Sequence, residues 1–123
     1  MNYDLKTKLN YNLLQNIYYQ DRSGNKKGFI KYYPNNTNEH EDTKWKICKK
    51  LIKDKYDIYT ECRFTTNRGR ADIIAIKFGI GYIIEVVTTE KEKSITEKRK
   101  KYPHNFELIV VKSRGFKIDE FEL

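Results

Sequence analysis

Two apolar segments separated by only four residues constrain the fold of this chain more than any other feature. ADIIAIK (71–77) and YIIEVVT (82–88) are rich in β-branched residues, and FGIG joins them. A parallel pair of strands needs a crossover of a dozen or more residues, whereas an antiparallel pair needs only a short turn. The sequence therefore predicts that the two segments form an antiparallel β-hairpin.

Regular elements are predicted before the hairpin. Apolar residues at helical spacing indicate an N-terminal helix from about Asp4 to Tyr19 and a second helix from about Asn38, its predicted cap, to Lys53. YDIYTECRF (56–64) then shows the alternation of a strand. This alternation would place Ile58, Thr60, Cys62 and Phe64 on one face, and Tyr59, Glu61 and Arg63 on the other.

A helix and a strand are predicted after the hairpin. The segment that follows Thr89 is predicted to be helical and must end before Pro103. FELIVVK (106–112) reads as a buried strand, and the helix before it favours parallel pairing with the second hairpin strand. The predicted fold class is therefore α/β (α+β), with a mixed sheet flanked by helices.

The length predicts one domain. At 123 residues the chain can bury a single core, and we divide it into an N-terminal helical extension (1–37), a core (38–113) and a C-terminal tail (114–123). Cys48 and Cys62 have no second Cys or paired His at metal-ligand spacing. We therefore predict that both are buried free thiols.

The charge of the chain favours a polyanionic partner. There are 25 Lys and Arg against 17 Asp and Glu, which gives a net charge of +8. Nucleic acid is the leading candidate, and a soluble domain that is merely rich in lysine is the alternative. No apolar run approaches the roughly 20 residues that span a bilayer, so we expect a cytoplasmic protein without a membrane partner.

Two carboxylates lie within the apolar hairpin. Asp72 shares a strand face with Ile74 and Ile76, and Glu85 shares one with Ile83. Buried carboxylates on neighbouring strands repel each other unless a cation or a shared proton lies between them. A divalent metal ion satisfies this requirement.

The second helix supplies a third candidate acid. Helical spacing places Glu41 on the stripe of Trp45, Cys48 and Ile52, which is predicted to face the core. Glu41 is either a metal ligand or a capping residue for the helix. His40 is predicted to be packed or hydrogen-bonded rather than a ligand. Three roles stay open for Glu61, namely metal ligand, partner of Arg63 or exposed residue.

This order of elements and acids resembles the PD-(D/E)XK nuclease superfamily, which has a restriction-endonuclease-like fold. The resemblance covers residues 39–111 and extends in scale to small archaeal and viral nucleases and junction resolvases. It implies that Asp72 and Glu85, with Glu41, bind Mg²⁺ or Mn²⁺ within a nuclease-like core. The superfamily's catalytic lysine corresponds to Val87 here. A lysine from elsewhere would have to replace it, and the candidates are Lys91, Lys98 and Lys101.

The predicted function is that of a metal-dependent DNA endonuclease, which acts as a homodimer because one such domain cuts one strand. Lys98 is included among the catalytic candidates. Two alternatives stay open, a catalytically inactive DNA-binding protein of the same fold and a protein-interaction or anti-defence factor. The residues predicted to hold the DNA backbone are Arg68, Arg70, Lys98, Arg99, Lys100 and Lys101.

Overall fold

The computed structural model describes residues 9–11, 13–15, 27, 28, 30–32, 34–64, 70–88 and 92–123. These residues form a mixed α+β fold in which helices accompany one four-stranded sheet. The elements in chain order are α1 (Asn38–Lys53), β1 (Asp57–Arg63), β2 (Arg70–Lys77), β3 (Ile80–Val87), α2 (Glu92–Lys101), β4 (Phe106–Lys112) and a 3₁₀ turn (Ile118–Glu120).

The sheet has the strand order β1-β2-β3-β4. β1 pairs with β2 and β2 with β3 in antiparallel orientation, and β4 lies parallel to β3. Both the hairpin and the parallel pairing across α2 are therefore confirmed. The β2–β3 register runs from Lys77 opposite Ile80 to Ile73 opposite Ile84.

The apolar core has two parts, which occupy opposite faces of the sheet because alternate strand residues point to opposite sides. One part contains Ile47, Cys48 and Leu51 of α1, packed against Ile58, Ile73, Ala75, Ile84, Val86 and Phe121. The other contains Leu13, Tyr59, Cys62, Phe64, Ala71, Ile74, Ile76, Ile83, Tyr102 and Phe106. Both cysteines are buried free thiols.

Part of the segment predicted to be an N-terminal extension (1–37) belongs to the described residues. Residues 9–11, 13 and 14 are helical, and Leu13 is buried in the second part of the core. The backbone N–H of Gly79, in the β2–β3 turn, donates to Oδ1 of Asn10 at 2.7 Å. This segment therefore packs on the hairpin, whereas most of the helix predicted from Asp4 to Tyr19 lies outside the described residues.

The buried face of α1 differs from the predicted one. The exposed fraction is 49% for Trp45 and 41% for Ile52, so the prediction that these residues face the core is wrong. The helix is also capped one residue earlier than predicted, because Oγ1 of Thr37 accepts from the backbone N–H of His40 at 3.1 Å. The buried residues are His40, Thr43, Lys44, Ile47, Cys48 and Leu51.

The predicted alternation in β1 is also wrong. Ile58 packs with α1, whereas Cys62 and Phe64 belong to the opposite part of the core together with Tyr59. The cause is the backbone of Glu61, whose φ of +51° lies in the left-handed region that residues other than glycine rarely adopt. This conformation interrupts the alternation in the middle of the strand.

Candidate active site

The β2–β3 ladder ends where the two acidic residues begin. After Ile73 and Ile84, the next position in the register would set Asp72 opposite Glu85. Instead, Oδ2 of Asp72 accepts from the backbone N–H of Val86 at 2.8 Å. The side chains of Asp72 and Glu85 are also hydrogen-bonded to each other. The structure therefore brings together the two carboxylates that the sequence singled out.

His40 joins this pair to the start of α1. Its Nε2 lies 3.2 Å from Oδ2 of Asp72, and its Nδ1 lies 3.7 Å from Oε1 of Glu41. The histidine is therefore hydrogen-bonded and stands between the two acids. Glu41 itself accepts from Asn36 through Oε1 at 2.7 Å, and its Oε2 lies 2.7 Å from Nζ of Lys44.

A buried ion network lies beneath the site. Lys44 is only 1% exposed, and its ammonium donates to the carbonyl oxygen of Lys31 at 2.7 Å and to Oε1 of Glu61 at 3.0 Å. Oε2 of Glu61 lies 3.0 Å from Nε of Arg70. Glu61 is 4% exposed, so two of its predicted roles, exposed residue and partner of Arg63, are wrong. Its partners are Lys44 and Arg70.

The end of α2 supplies two partners for Glu85. The hydroxyl of Tyr102 donates to Oε1 of Glu85, and Nζ of Lys98 lies 4.0 Å from Oε2. The two residues are four positions apart, which places them on the same side of the helix end. Of Lys91, Lys98 and Lys101, the three candidates that the resemblance suggested, Lys98 is thus in contact range of Glu85.

The pair of acids opens into a cleft of about 480 Å³. Val87 lines this cleft and is buried. Arg99, Lys100 and Lys101 are exposed, whereas Arg68 and Lys91 lie outside the described residues. The cleft is lined by Asn36, His40, Arg70, Asp72, Glu85, Val86, Val87, Thr88 and Lys98.

The two acids share one proton. Burial and the negative charge of Asp72 raise the pKa of Glu85 to about 9. Burial also opposes ionisation of Asp72, but hydrogen bonds from His40 and Glu85 outweigh it and hold the pKa of Asp72 below its usual value. Burial and mutual repulsion therefore favour a pair that retains one proton and carries one negative charge.

The neighbouring histidine responds to the same charges. Burial favours its neutral ring, but the hydrogen bond to Asp72 and the negative charges of Asp72 and Glu41 outweigh burial and raise the pKa of His40. Burial raises the pKa of each thiol, Cys48 and Cys62, to about 12. Neither thiol is therefore a nucleophile near neutral pH.

The donor set fits a hard divalent cation. Mg²⁺ takes oxygen ligands and is commonly held by one or two carboxylates together with waters and substrate phosphates. Asp72 and Glu85 provide two such carboxylates, and a cation between them would take the place of their shared proton. Across the described ranges, no three His, Cys, Asp or Glu side chains form a group that could hold a metal ion.

Sequence reasoning missed two residues of the site. Lys44 was overlooked although it lies on the apolar stripe of Ile47, Cys48 and Leu51, and a lysine on such a stripe is the signal of a buried ion pair. Tyr102 was overlooked because a tyrosine before a proline reads as a helix end. Its spacing of four residues from Lys98 was the available signal.

Comparisons with family models, with curated proteins and with solved structures find no match for this chain. Among the described residues, no helix has both the length and the apolar composition that crossing a membrane would require. Any assignment of function therefore depends on the chemistry of the cleft.

Proposed function

We propose that this chain is a metal-dependent DNA endonuclease with a restriction-endonuclease-like core of the PD-(D/E)XK type. The observation that carries the proposal is the hydrogen-bonded pair of Asp72 and Glu85, which is buried at the end of a hairpin and opens into a cleft. Two buried carboxyl groups in contact retain a proton unless a cation takes its place, which makes this pair a candidate cation site.

Positive charge around the cleft supports a phosphate substrate. Arg70 and Lys98 both line the cleft that contains the acids, and Arg70 is held in place by Glu61. Beyond the cleft, α2 carries Arg99, Lys100 and Lys101 in its last turn. Cations arranged in this way suit the backbone of a nucleic acid, which is recognised through its phosphates.

Asp72 and Glu85 would hold Mg²⁺, which would polarise a phosphodiester and activate a water. The water oxygen would form a bond to phosphorus and release a proton to solvent, while the bond to the leaving sugar oxygen breaks and that oxygen takes up a proton from solvent. Lys98 stabilises the negative charge that develops on the phosphate. Arg70 holds the phosphate against the acids. Each cleft serves one strand, so we expect two copies to act on a duplex.

A catalytically inactive DNA-binding protein of the same fold is the second candidate. The observation that favours it is Val87, which is 5% exposed and occupies the position of the superfamily's lysine. In that case the acids are stabilised by the protein's own groups, namely Tyr102, Lys98 and His40.

Cleavage assays separate the two candidates. Purified protein is incubated with linear, branched and single-stranded labelled DNA, in Mg²⁺, in Mn²⁺ and in chelator. An endonuclease produces shorter fragments only when the cation is present. Retarded but intact DNA under all conditions would reject the endonuclease and favour the binding protein.

Lys98→Gln tests whether Lys98 replaces the lysine absent at position 87. We expect the rate of cleavage to fall by roughly 10²–10³-fold, because one charge-stabilising donor is lost. Lys117→Gln is the control, since Lys117 is exposed and does not line the cleft. Equal cleavage rates in the two variants would show that Lys98 takes no part in the reaction.

Tyr102→Phe tests whether Tyr102 orients Glu85. The ring contact with Phe64, at 5.3 Å between centroids, is retained by phenylalanine, so the fold should be unaffected. Glu85 loses one hydrogen bond, and the affinity for Mn²⁺ should fall by roughly 10- to 100-fold. Calorimetric titration with Mn²⁺ measures this change, and the exposed Tyr32→Phe serves as control. An unchanged dissociation constant would contradict the role given to Tyr102.

A further inference from the structure

The outward side of α1 carries an aromatic and basic surface that the cleft does not use. Trp45, Lys49 and Ile52 follow one another at helical spacing, and Lys46 and Lys53 lie beside them. All five are exposed, and we call them the Trp45 face. Trp45 is the single tryptophan of the chain and has nearly half of its surface in water.

The charge of this surface favours a polyanion. Nζ of Lys49 lies 5.6 Å from the centre of the Trp45 ring, which sets a cation beside the indole. The nearby Asp42 is paired with Lys46 at 3.0 Å, so the three lysines give the Trp45 face a positive balance. Protein–protein interfaces are depleted in lysine, whereas surfaces that bind single-stranded nucleic acid combine lysine or arginine with exposed aromatic rings.

The Trp45 face lies close to the cleft along α1. Asn36 lines the cleft and donates to Glu41, and Trp45 lies one helical turn beyond Glu41 on the same side of α1. Four residues of α-helix correspond to about 6 Å along the axis. Stacked nucleotides are spaced at about 3.4 Å along a strand. A strand that leaves the cleft past Glu41 therefore reaches Trp45 within about two nucleotides.

We propose that the Trp45 face binds a single-stranded stretch of nucleic acid beside the cleft. An unpaired base stacks on the Trp45 ring, and Lys46 and Lys49 contact the adjoining phosphates. This inference rests on the proposed function only in taking nucleic acid as the ligand of the cleft. It specifies the substrate class as one with unpaired nucleotides, because the bases of an intact duplex are already stacked on one another.

The test measures binding in chelator, so that cleavage plays no part. The protein is titrated into a labelled single-stranded oligonucleotide and into the corresponding labelled blunt duplex, and the anisotropy of the label gives the affinity of every variant. For proteins that retain Trp45, the fluorescence of this single tryptophan is also recorded. We expect the single strand to quench this fluorescence and the duplex to leave it nearly unchanged. Trp45→Leu should weaken binding of the single strand by about tenfold or more, whereas Trp45→Phe should retain most of the affinity.

Phe78→Leu is the matched control. Phe78 is also an exposed aromatic residue, and it lies in the β2–β3 turn at the opposite end of these strands from Asp72. The Phe78→Leu variant should bind the single strand as tightly as the wild type does. Unchanged affinity in Trp45→Leu, or equal losses in Trp45→Leu and Trp45→Phe, would overturn the proposal.

Two further outcomes are distinguishable. If Trp45→Leu leaves the affinity unchanged but alters sedimentation of the protein, the Trp45 face binds a second copy of the chain and the proposal is rejected. If the Trp45 variants behave as expected but no DNA is cut in Mg²⁺ or Mn²⁺, the endonuclease fails while the binding surface stands.

Discussion

Replacing Asp72 with asparagine should abolish both the cleavage of DNA and the stabilisation of the protein by Mn²⁺. The neutral amide is a much weaker ligand for a hard cation than a carboxylate. We expect the rate of cleavage to fall by at least about 10²-fold. The wild type should gain roughly 2.7 kcal/mol of unfolding free energy when Mn²⁺ is in hundredfold excess over its dissociation constant. The variant should gain none.

Asp72→Asn is suited to testing the metal site because it should preserve the fold. Asparagine has nearly the same shape as aspartate and retains an oxygen that can accept from the backbone N–H of Val86. Thermal melts without metal should therefore be similar for wild type and variant. Asp42→Asn is the control, since Asp42 is exposed and lies outside the cleft. Equal shifts of wild type and Asp72→Asn with Mn²⁺ would show that the cation binds elsewhere.

The affinity for Mn²⁺ and the stability of the metal-free protein should both depend on pH, because Asp72 and Glu85 share a proton. Glu85 has its pKa raised from 4.5 to about 9, so the native protein binds a proton that the unfolded chain does not bind between these values. Proton binding by Glu85 therefore stabilises the metal-free protein. This stabilisation is fully present below pH 4.5 and is lost as the pH rises through about 9. A cation must displace the same proton. Affinity for Mn²⁺ should therefore increase with pH up to about 9, and Glu85→Gln should remove this dependence.

The elements that position the acids could be predicted because local rules decide them. The length of the FGIG connection required an antiparallel pair, and the helix before FELIVVK required a parallel one. The proximity of Asp72 and Glu85 follows from the hairpin register. These features depend on residues that are close in sequence or are joined by a single crossover.

The surroundings of the acids could not be predicted because they depend on contacts between distant segments. A strand pattern assumes regular alternation, and the positive φ of Glu61 breaks it at the position where Glu61 meets Lys44. Likewise, a helical pattern assigns lysine to solvent and tryptophan to the core. On α1 the reverse holds for Lys44 and Trp45, since Glu41 of the same helix and Glu61 of β1 neutralise the buried ammonium.

That buried ammonium is the basis of the largest expected effect on stability. Lys44→Met retains an unbranched side chain of similar length but removes the positive charge. Glu41 and Glu61 then lose their shared partner, and Glu61 is left with Arg70 in a site that is almost inaccessible to water. Removing one partner of a buried ion pair destabilises a protein by roughly 3–5 kcal/mol. We expect a loss of this size in urea-induced unfolding.

Lys46→Met provides the comparison because it also removes a lysine of α1 that is paired with an acid. Lys46 lies 3.0 Å from Asp42, but both side chains are about half exposed or more. Exposed pairs of this kind contribute roughly 0–1 kcal/mol. Adding Glu61→Gln to Lys44→Met should recover part of the stability, because it removes the negative charge of Glu61 that Lys44 no longer balances. Equal losses in Lys44→Met and Lys46→Met, or no recovery in the double variant, would mean that the buried ion network does not stabilise the fold.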